Sequence, residues 1–403
     1  MQAEQSSQSS WGYWLLAIVA IATIATITTI AIKPDHYYQW DFRVYYHAAK
    51  LDAQGLDPYD TDLLQKTADL EHHHPFAYPP SVLLLFRPLT AFSYGTAYLI
   101  WLGIKVLALL WLLYIWHKYL FADAPPPHWY LFLLVSFGGA VCLDMIAGNV
   151  SVIEQALLWS GFAALLRKKV WLFCLMVLAA AIFKWTMILL LLVLIPLGIE
   201  HRYRYLLISA IAMVCMIAVS ALPDLERFSH FLSTVLGVDE RGDKFNPSLL
   251  SLIRDLTDKL RVFSVPGYTI NLLSFAVWGV FGWWLISRTL KWFAAAKDEP
   301  LRSIETIYMT TLVYALVMPR FKLYSFILIL PALYHAIRRY VRPSHFVLLF
   351  LLIAICSPPV IPSAKFFTKM AWYWPTIITL GVWYYWLKAT RQTNRLTEVE
   401  PDR

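Results

Sequence analysis

Residues 94–119 read YGTAYLIWLGIKVLALLWLLYIWHKY, an almost unbroken apolar run. A helix that crosses the hydrocarbon core of a membrane needs about 20 mainly apolar residues, and this run provides them. The whole chain of 403 residues has the same bias, because 59% of its residues are hydrophobic and 15% are charged, against about 45–50% and about 25% in soluble proteins. The sequence therefore predicts an all-α fold, a polytopic helical bundle in a membrane.

Eleven further apolar runs accompany this one and together predict a bundle of about 12 transmembrane helices. The 12 runs are Trp11–Ile32, Tyr78–Phe92, Tyr94–Tyr119, His128–Ile146, Val150–Leu166, Val170–Ile199, Tyr203–Leu222, Tyr268–Leu290, Ile304–Met318, Leu323–Tyr340, Phe346–Cys356 and Trp372–Leu387. Several are shorter than the roughly 17–25 residues that cross a membrane upright. By contrast, Val170–Ile199 is long enough to be tilted or broken.

The runs organise the chain as one membrane domain, since no polar stretch is long enough to form a soluble domain. The predicted parts are a short N-terminus (1-10), a transmembrane domain (11-387) with a first outer loop (33-77) and a second long outer loop (223-267), and a tail (388-403).

Charge assigns a side of the membrane to each part. The short connections 201–204 and 338–342 and the tail are basic, which is typical of cytoplasmic segments. The N-terminus and the tail are thus predicted to be cytoplasmic and the long loops extracytoplasmic. The cluster Arg167-Lys168-Lys169 fits only if Val170–Ile199 is a hairpin or an earlier run does not cross. Amphipathic pieces of the long loops, such as Ser248–Leu256, are predicted to lie as interfacial helices.

Composition also limits the binding partners. The net charge of +8 comes from the short clusters between apolar runs, so we expect membrane lipid and no nucleic acid as a partner. The histidines at 72–74 are consecutive, and consecutive loop residues rarely converge on one ion. No metal site and no cofactor are predicted.

The first outer loop carries the sequence DFRVYYHAAK at residues 41–50. Asp41 follows the first span closely, where a carboxylate could accept a proton from a hydroxyl group. Alternatively, Asp41 only caps a surface helix, a position that Asp favours. Asp144 and Glu154 flank Gly148-Asn149, and they could bind substrate or lie in water at a helix turn.

Cations near the spans are candidates for binding phosphate. Lys184 lies inside an apolar run, where an ionisable residue is costly and by default a candidate for function, although a lysine can also snorkel to the interface. Arg320 and Lys322 follow Pro319 at the end of a span. They could hold a phosphate or anchor the helix at the interface.

Short motifs occur in a fixed order between Asp41 and Pro331. They are Asp41 through Tyr45, Ala48 and Ala49 to Gly55, Pro58 and Tyr59; Tyr78-Pro79-Pro80; Arg87-Pro88-Leu89; Gly148-Asn149-Val150-Ser151; Lys184; Asn246-Pro247-Ser248-Leu249 with Arg254; and Pro319. With this set the chain resembles glycosyltransferase family 87, which has the GT-C fold and contains the polyprenyl-phosphate-mannose-dependent α-mannosyltransferases of bacteria.

The resemblance implies a membrane glycosyltransferase of GT-C type that uses a polyprenyl-phosphate-linked sugar, in first place mannose. It would act on a lipid-linked or glycan acceptor at the extracytoplasmic face of the cell membrane. The resemblance implies Asp41 as the general base of an inverting transfer. It further implies donor-phosphate binding by Lys184, Arg254, Arg320 and Lys322, and substrate binding by Arg43, Tyr45, Tyr59 and Asn246.

One departure from the family and two other classes of protein leave the function open at this point. The family often has histidines after the late proline, whereas this chain has Arg320 and Lys322, so a sugar other than mannose is possible. A polyprenyl-linked sugar flippase or transporter would use similar intramembrane cations. A scaffold subunit would leave Asp41 and Lys184 without a shared cavity. No internal repeat is visible, and its absence argues against a transporter.

Overall fold

The structure is a computed structural model of the chain. It describes residues 21, 25, 27–31, 38–70, 74–122, 126–237, 246–263, 265–295, 302–340 and 372–399. The regular structure within these ranges is helical and contains no strand. The prediction of an all-α fold is therefore confirmed.

The helices are numbered from Trp40 onward. The α-helices are α1 (Trp40–Ala53), α2 (Thr61–Ala68), α3 (Pro80–Phe86), α4 (Tyr94–Tyr119), α5 (Pro126–Ala147), α6 (Ser151–Leu166), α7 (Val170–Ala181), α8 (Arg202–Ala221), α9 (Leu225–Gly237), α10 (Leu249–Asp258), α11 (Gly267–Ala295), α12 (Arg302–Val317), α13 (Leu330–Tyr340) and α14 (Trp374–Val399). The 3-10 helices are Arg87–Ala91, Trp185–Leu194, Lys259–Phe263 and Leu323–Ile329.

Four helices of the described ranges are long and apolar enough to cross a membrane, namely α4, α5 over Trp129–Ala147, α8 and α11. Shorter apolar helices, α6 and α7 among them, accompany these four. Helix α8 leaves Leu207, Ile211 and Val214 exposed, as expected of a surface that contacts lipid. The chain is a helical membrane protein, while the count of about 12 spans stays a prediction. The run Phe346–Cys356 lies outside the described residues, as does most of Trp11–Ile32.

Two of the predicted runs are interrupted. Helix α7 ends at Ala181 and a 3-10 helix begins at Trp185, so Val170–Ile199 is broken, which was one of its two predicted forms. Helix α5 contains non-helical backbone over Ser136–Gly139, with φ values of 66° and 80° at its two glycines. Glycine adopts such positive φ values without steric cost.

The last described helix, α14, continues to Val399, while the end of the membrane domain at Leu387 and the cytoplasmic tail (388-403) stay predictions. The sequence from Val382 to Val399 contains no Gly or Pro. The residues that most strongly stop a helix are thus missing from this stretch.

The described chain divides into two compact units. Unit 1 comprises 1–128, 141–191 and 200–239, and unit 2 comprises 129–140, 192–199 and 240–403. In unit 1, α6 and α7 pack side by side as a helical hairpin. A Cβ atom added at Gly161 would lie 3.1 Å from Cβ of Met176, so the glycine allows the close approach of these two helices.

Helix α1 is seated on α4 by an aromatic contact. The side chain of Phe42 is fully buried and stacks on Trp101 of α4, with ring centroids 5.5 Å apart. The ring of Phe86 packs against Trp101 at 5.1 Å. Because Phe42 follows Asp41 in the chain, this contact also fixes where the start of α1 lies.

In unit 2, helix α10 starts where an amphipathic segment was predicted. Ser248 is its N-cap, and its hydroxyl accepts a hydrogen bond from the Ser251 amide at 3.2 Å. The hydroxyl groups of Thr257 and Ser274 are 2.7 Å apart and join α10 to α11. Helix α10 thus covers most of the predicted segment Ser248–Leu256, and its position at the membrane interface stays a prediction.

Candidate active site

Asp41 is the second residue of α1 and is partly exposed. The N-cap of α1 is Gln39, and no side chain caps the helix. Instead, the side-chain amide of Asn149 donates a hydrogen bond to Oδ2 of Asp41 at 2.7 Å. The interpretation of Asp41 as a helix cap is therefore wrong. The remaining oxygen, Oδ1, has no hydrogen-bond partner within the described part of the chain.

The contacts of the Asn149 side-chain oxygen establish how the amide group is oriented. Its Oδ1 accepts hydrogen bonds from the backbone N–H of Ser151 at 3.0 Å and from the Ser151 hydroxyl at 2.9 Å. A backbone N–H can only donate, so the carbonyl end of the amide must face Ser151. The NH₂ group consequently faces Asp41, and the carboxylate receives a proton donor.

The hydroxyl groups of two tyrosines lie near the side-chain amide of Asn149. The hydroxyl of Tyr45 lies 3.0 Å from the amide nitrogen of Asn149 and 2.9 Å from the hydroxyl of Tyr78. The hydroxyl of Tyr59 donates to the backbone carbonyl of Tyr78 at 2.8 Å. Burial raises the pKa of Tyr59 above its ordinary value, an effect that the carboxylate of Asp57 reinforces. The phenol of Tyr59 therefore stays protonated and keeps the loop that carries Tyr78 in place.

Lys184 lies in the unwound stretch between α7 and the following 3-10 helix. Its ammonium group forms an ion pair with Glu154 at 2.7 Å and donates to the Ser151 hydroxyl at 3.2 Å. The Glu154 side chain is fully buried, whereas 28% of the Lys184 side chain is exposed. Ser151 also bonds to Asn149, so three hydrogen bonds in series join the Asp41 carboxylate to the Lys184 ammonium group. The two residues thus belong to one polar cluster.

A second ion pair lies on the other side of Asn149. Lys105 of α4 and Asp144 of α5 are 2.7 Å apart, and both side chains are fully buried. The Lys105 ammonium group also donates to the backbone carbonyl of Asn149 at 2.7 Å. Neither Asp144 nor Glu154 lies in water, so that interpretation is wrong. Lysines from distant parts of the chain neutralise both carboxylates, which is why both can be buried.

Two other predicted substrate-binding residues of unit 1 are turned toward the protein. Arg43 is buried, donates to the carbonyl of Asp69 at 3.4 Å and lies over the ring of Tyr94 at 5.4 Å. Tyr59 is buried as well and supports Tyr78, as described above. Both residues thus stabilise the loop near Asp41 through contacts with other protein groups.

The predicted residues of unit 2 form a separate group. Asn246 is buried, accepts a hydrogen bond from the Phe321 amide at 3.2 Å and donates to the Ser251 hydroxyl at 2.9 Å. The hydroxyl of Ser248 donates to the carbonyl of Pro319 at 2.7 Å. The start of α10 is thereby joined to both neighbours of Arg320.

The cations of this group remain partly accessible. Arg320 and Lys322 are partly exposed. The guanidinium group of Arg254 lies 5.0 Å from the ring centre of Phe275, a distance typical of a cation–π contact. One guanidinium nitrogen of Arg254, Nε, is buried and has no hydrogen-bond partner in the described residues.

Neither Lys105 nor the joining role of Asn149 was predicted from the sequence. A lysine near the middle of the apolar run 94–119 was a visible signal for Lys105. No local signal pointed to Asn149, because its partner Asp41 lies 108 residues away. No group of three or more His, Cys, Asp or Glu side chains among the described residues could hold a metal ion; His72 and His73 lie outside these residues.

Fold and site together define a helical membrane protein with a partly exposed carboxylate held within a buried polar cluster. A comparison with protein families matches residues 76–319 to glycosyltransferase family 87. The match covers more than half of the chain, which therefore belongs to this family, and the protein is a membrane glycosyltransferase. No curated protein is similar enough in sequence to be matched with the chain. The matched range includes Lys105, Asn149 and Lys184, whereas Asp41 precedes it.

Proposed function

We propose that this glycosyltransferase has the GT-C fold, with about 12 spans, and transfers a sugar from a polyprenyl-phosphate carrier. The sugar is in first place mannose, and the acceptor is a lipid-linked or glycan hydroxyl. Transfer takes place at the extracytoplasmic face of the cell membrane, where the acidic first outer loop is proposed to lie. The general base of the inverting reaction is Asp41.

The observation that carries this proposal is that the Asp41 carboxylate is both held in place and partly exposed. One of its oxygens is held by Asn149 at 2.7 Å, and the side chain is partly exposed. A general base must be oriented and also reachable by the hydroxyl that it deprotonates. The carboxylate of Asp41 meets both requirements.

In the proposed reaction, Asp41 accepts the proton of the acceptor hydroxyl as the oxygen attacks the anomeric carbon. The bond between that carbon and the carrier phosphate oxygen breaks, and its electron pair leaves with the polyprenyl phosphate. The attack comes from the face opposite the phosphate, so the configuration inverts. A phosphate leaves without a proton from the protein, so the second carboxylate of glycoside hydrolases is not needed.

Lys184 is proposed to bind the carrier phosphate. Its side chain is 28% exposed, and its ammonium group contacts Glu154 and Ser151. Hydrogen bonds between charged groups of this kind are shorter and stronger than neutral ones. Arg254, Arg320 and Lys322 are proposed to contribute further positive charge for the phosphate.

The proposed substrate-binding residues act in two ways. Tyr45 lies beside Asn149 and is proposed to act close to the reacting groups. Arg43, Tyr59 and Asn246 bond to neighbouring protein groups. They are proposed to act on the substrates through the segments that they hold.

The experiment is the transfer of radiolabelled mannose from polyprenyl-phosphate-mannose to lipid acceptors, in membranes that contain the wild type or Asp41→Asn. The matched control is Asp62→Asn, because Asp62 is also the second residue of its helix, α2, and is exposed. We expect label in a glycolipid with the wild type and with Asp62→Asn, and none with Asp41→Asn.

Other outcomes would correct particular parts of the proposal. Full activity of Asp41→Asn would refute the assignment of the base. Transfer from a different polyprenyl-phosphate sugar alone would refute mannose and retain the base. Movement of the lipid-linked sugar across proteoliposomes without any transfer would favour a flippase.

A further inference from the structure

Lys105 lies near the middle of α4, a helix long and apolar enough to cross a membrane. Its side chain is fully buried, so it does not reach the interface by snorkelling. A charged group inside a span costs several kcal/mol unless it is paired, and such residues usually serve a function. Asp144 neutralises the charge of Lys105 but does not by itself explain why a charge is present.

The ammonium group of Lys105 binds the turn after α5. It donates to the backbone carbonyls of Asp144 and of Asn149, the latter at 2.7 Å. The carbonyl of Asp144 also accepts the backbone N–H groups of Gly148 at 3.1 Å and Asn149 at 3.3 Å, and a cation near the last carbonyl groups of a helix interacts favourably with the helix dipole. Lys105 therefore caps the end of α5 from the neighbouring helix.

Two more groups fix the same turn. The indole N–H of Trp101, one helical turn before Lys105, donates to the carbonyl of Gly148 at 2.9 Å. The backbone N–H of Gln39 donates to the carbonyl of Ile146 at 2.6 Å. The turn from Asp144 to Asn149 is thus held by α4 on one side and by the residue that precedes α1 on the other.

We infer that Lys105 is a positioning residue, which sets the place of Asn149 and, through the Asn149 amide, the orientation of the Asp41 carboxylate. This inference rests on the proposed role of Asp41 as the base. The path consists of two contacts, from Lys105 to the Asn149 carbonyl and from the Asn149 amide to Asp41, both 2.7 Å long. Lys105 itself has no exposed surface with which to touch a substrate.

A variant that also replaces Asp144 can separate the positioning role of Lys105 from its contribution to the stability of the fold. The Asp144 carboxylate is buried, and its contact with Lys105 is an ion pair without a further hydrogen-bond partner in the described residues. Removing one member of a buried pair leaves an uncompensated charge, whereas replacing both by apolar residues is often neutral or stabilising. The double variant Lys105→Met/Asp144→Leu should therefore fold, yet leave the carbonyl of Asn149 without its donor.

The test compares the purified wild type with this double variant and with the control Arg227→Met/Asp52→Leu. The control removes another ion pair of unit 1, between α9 and α1. We measure kcat and KM for transfer, the unfolding temperature, and hydrogen–deuterium exchange of the peptides around residues 39–47 and 144–151.

We expect the double variant to unfold near the wild-type temperature, with kcat reduced between about 10- and 100-fold and KM little changed, since a displacement of about 1 Å can have this effect. Exchange should be faster in both peptides, and the control should keep the wild-type kcat. A double variant with wild-type kcat and wild-type exchange would overturn the inference.

A milder variant covers the case in which the double variant does not fold. Trp101→Phe removes the bond to the Gly148 carbonyl and leaves every charge in place. We expect a smaller fall in kcat, faster exchange at 144–151 and an unchanged KM. Wild-type exchange and kcat in this variant would contradict the idea that α4 holds the turn. If the wild type transfers no sugar from any donor tested, the proposed function fails, while the exchange measurements still decide whether Lys105 fixes the turn.

Discussion

The side-chain amide of Asn149 lies 2.7 Å from the carboxylate of Asp41, although 108 residues separate them in the chain. Asp41 stands before the range that matches glycosyltransferase family 87, and Asn149 stands within it. The contact thus joins the segment before that range to the part of the chain that matches the family.

Replacing Asn149 by Asp should reduce kcat roughly 100-fold, because the donor to Asp41 becomes a second carboxylate and the geometry of the base is lost. The measurement is transfer of labelled sugar together with the unfolding temperature. Gln54→Glu is the control, since it introduces the same charge at an exposed residue just after α1. Equal activity of the two variants would show that the Asn149 amide does not orient Asp41.

Replacing Gly148 by Ala should weaken both stability and activity. The backbone φ of Gly148 is +71°, and the added Cβ would lie 2.9 Å from Cβ of Gln39 and 3.0 Å from Cβ of Phe42. We expect the free energy of unfolding to fall by about 1–2 kcal/mol because of the left-handed backbone. Overpacking should lower it by about another 1–3 kcal/mol. The displaced start of α1 would also move Asp41.

Gly55→Ala is the matched control for this substitution. Gly55 has a φ of +74°, and no atom lies within 4 Å of the place that an added Cβ would occupy, so only the backbone cost applies. Thermal unfolding in detergent and the transfer rate are measured for both variants. If Gly148→Ala lowered the unfolding temperature and the transfer rate no more than Gly55→Ala, the close approach of the turn to α1 would contribute nothing to stability or activity.

Replacing Lys184 by Met should destabilise the protein by about 3 kcal/mol, because the charge of the fully buried Glu154 then has no counter-ion. The double variant Lys184→Met/Glu154→Gln should recover most of the unfolding temperature. It should still require a higher donor concentration, since the proposed phosphate ligand is missing. Recovery of the wild-type KM in the double variant would restrict Lys184 to a structural role.

Stability should fall as the pH decreases from about 7 toward 4. Burial, with smaller effects of the positive charges of Lys50 and Arg43, lowers the pKa of His47 from 6.5 to about 4. Between these values the unfolded chain binds a proton that the folded chain does not bind, so acid favours unfolding. The pH dependence of the unfolding temperature in detergent measures the effect.

His47→Phe is the companion variant, because it retains a ring beside Tyr94, whose centroid is 5.8 Å from that of His47, and cannot titrate. We expect a smaller loss of unfolding temperature between pH 7 and pH 5 than in the wild type. The same loss in both proteins would assign the pH dependence to other groups.

The helical membrane fold could be predicted from the sequence because it depends on local composition. The apolar run Tyr94–Tyr119, for example, became a helix with the same bounds. The interruption of α5 was not predicted, although Gly138 and Gly139 mark its place. Helix α14 continues past the apolar run Trp372–Leu387, because a helix can extend into polar sequence when no Gly or Pro follows.

The partners within the site could not be predicted, since they depend on contacts between distant residues. Asp144 and Glu154 were interpreted as solvent-exposed in one alternative, yet each is buried against a lysine. Lys105 lies 39 residues before Asp144, and no periodicity relates the two. Positions beside and inside apolar runs pointed to Asp41 and Lys184, whereas the polar cluster around Asn149 became visible only in three dimensions.

The contact between Asp41 and Asn149 also has a consequence for biosynthesis. It closes a loop of 108 residues that contains the long helices α4 and α5. A growing chain therefore completes this pair only after both helices have been synthesised and inserted. An error in the insertion of either helix would leave the carboxylate without its amide partner, so correct membrane insertion is a condition for assembling the site.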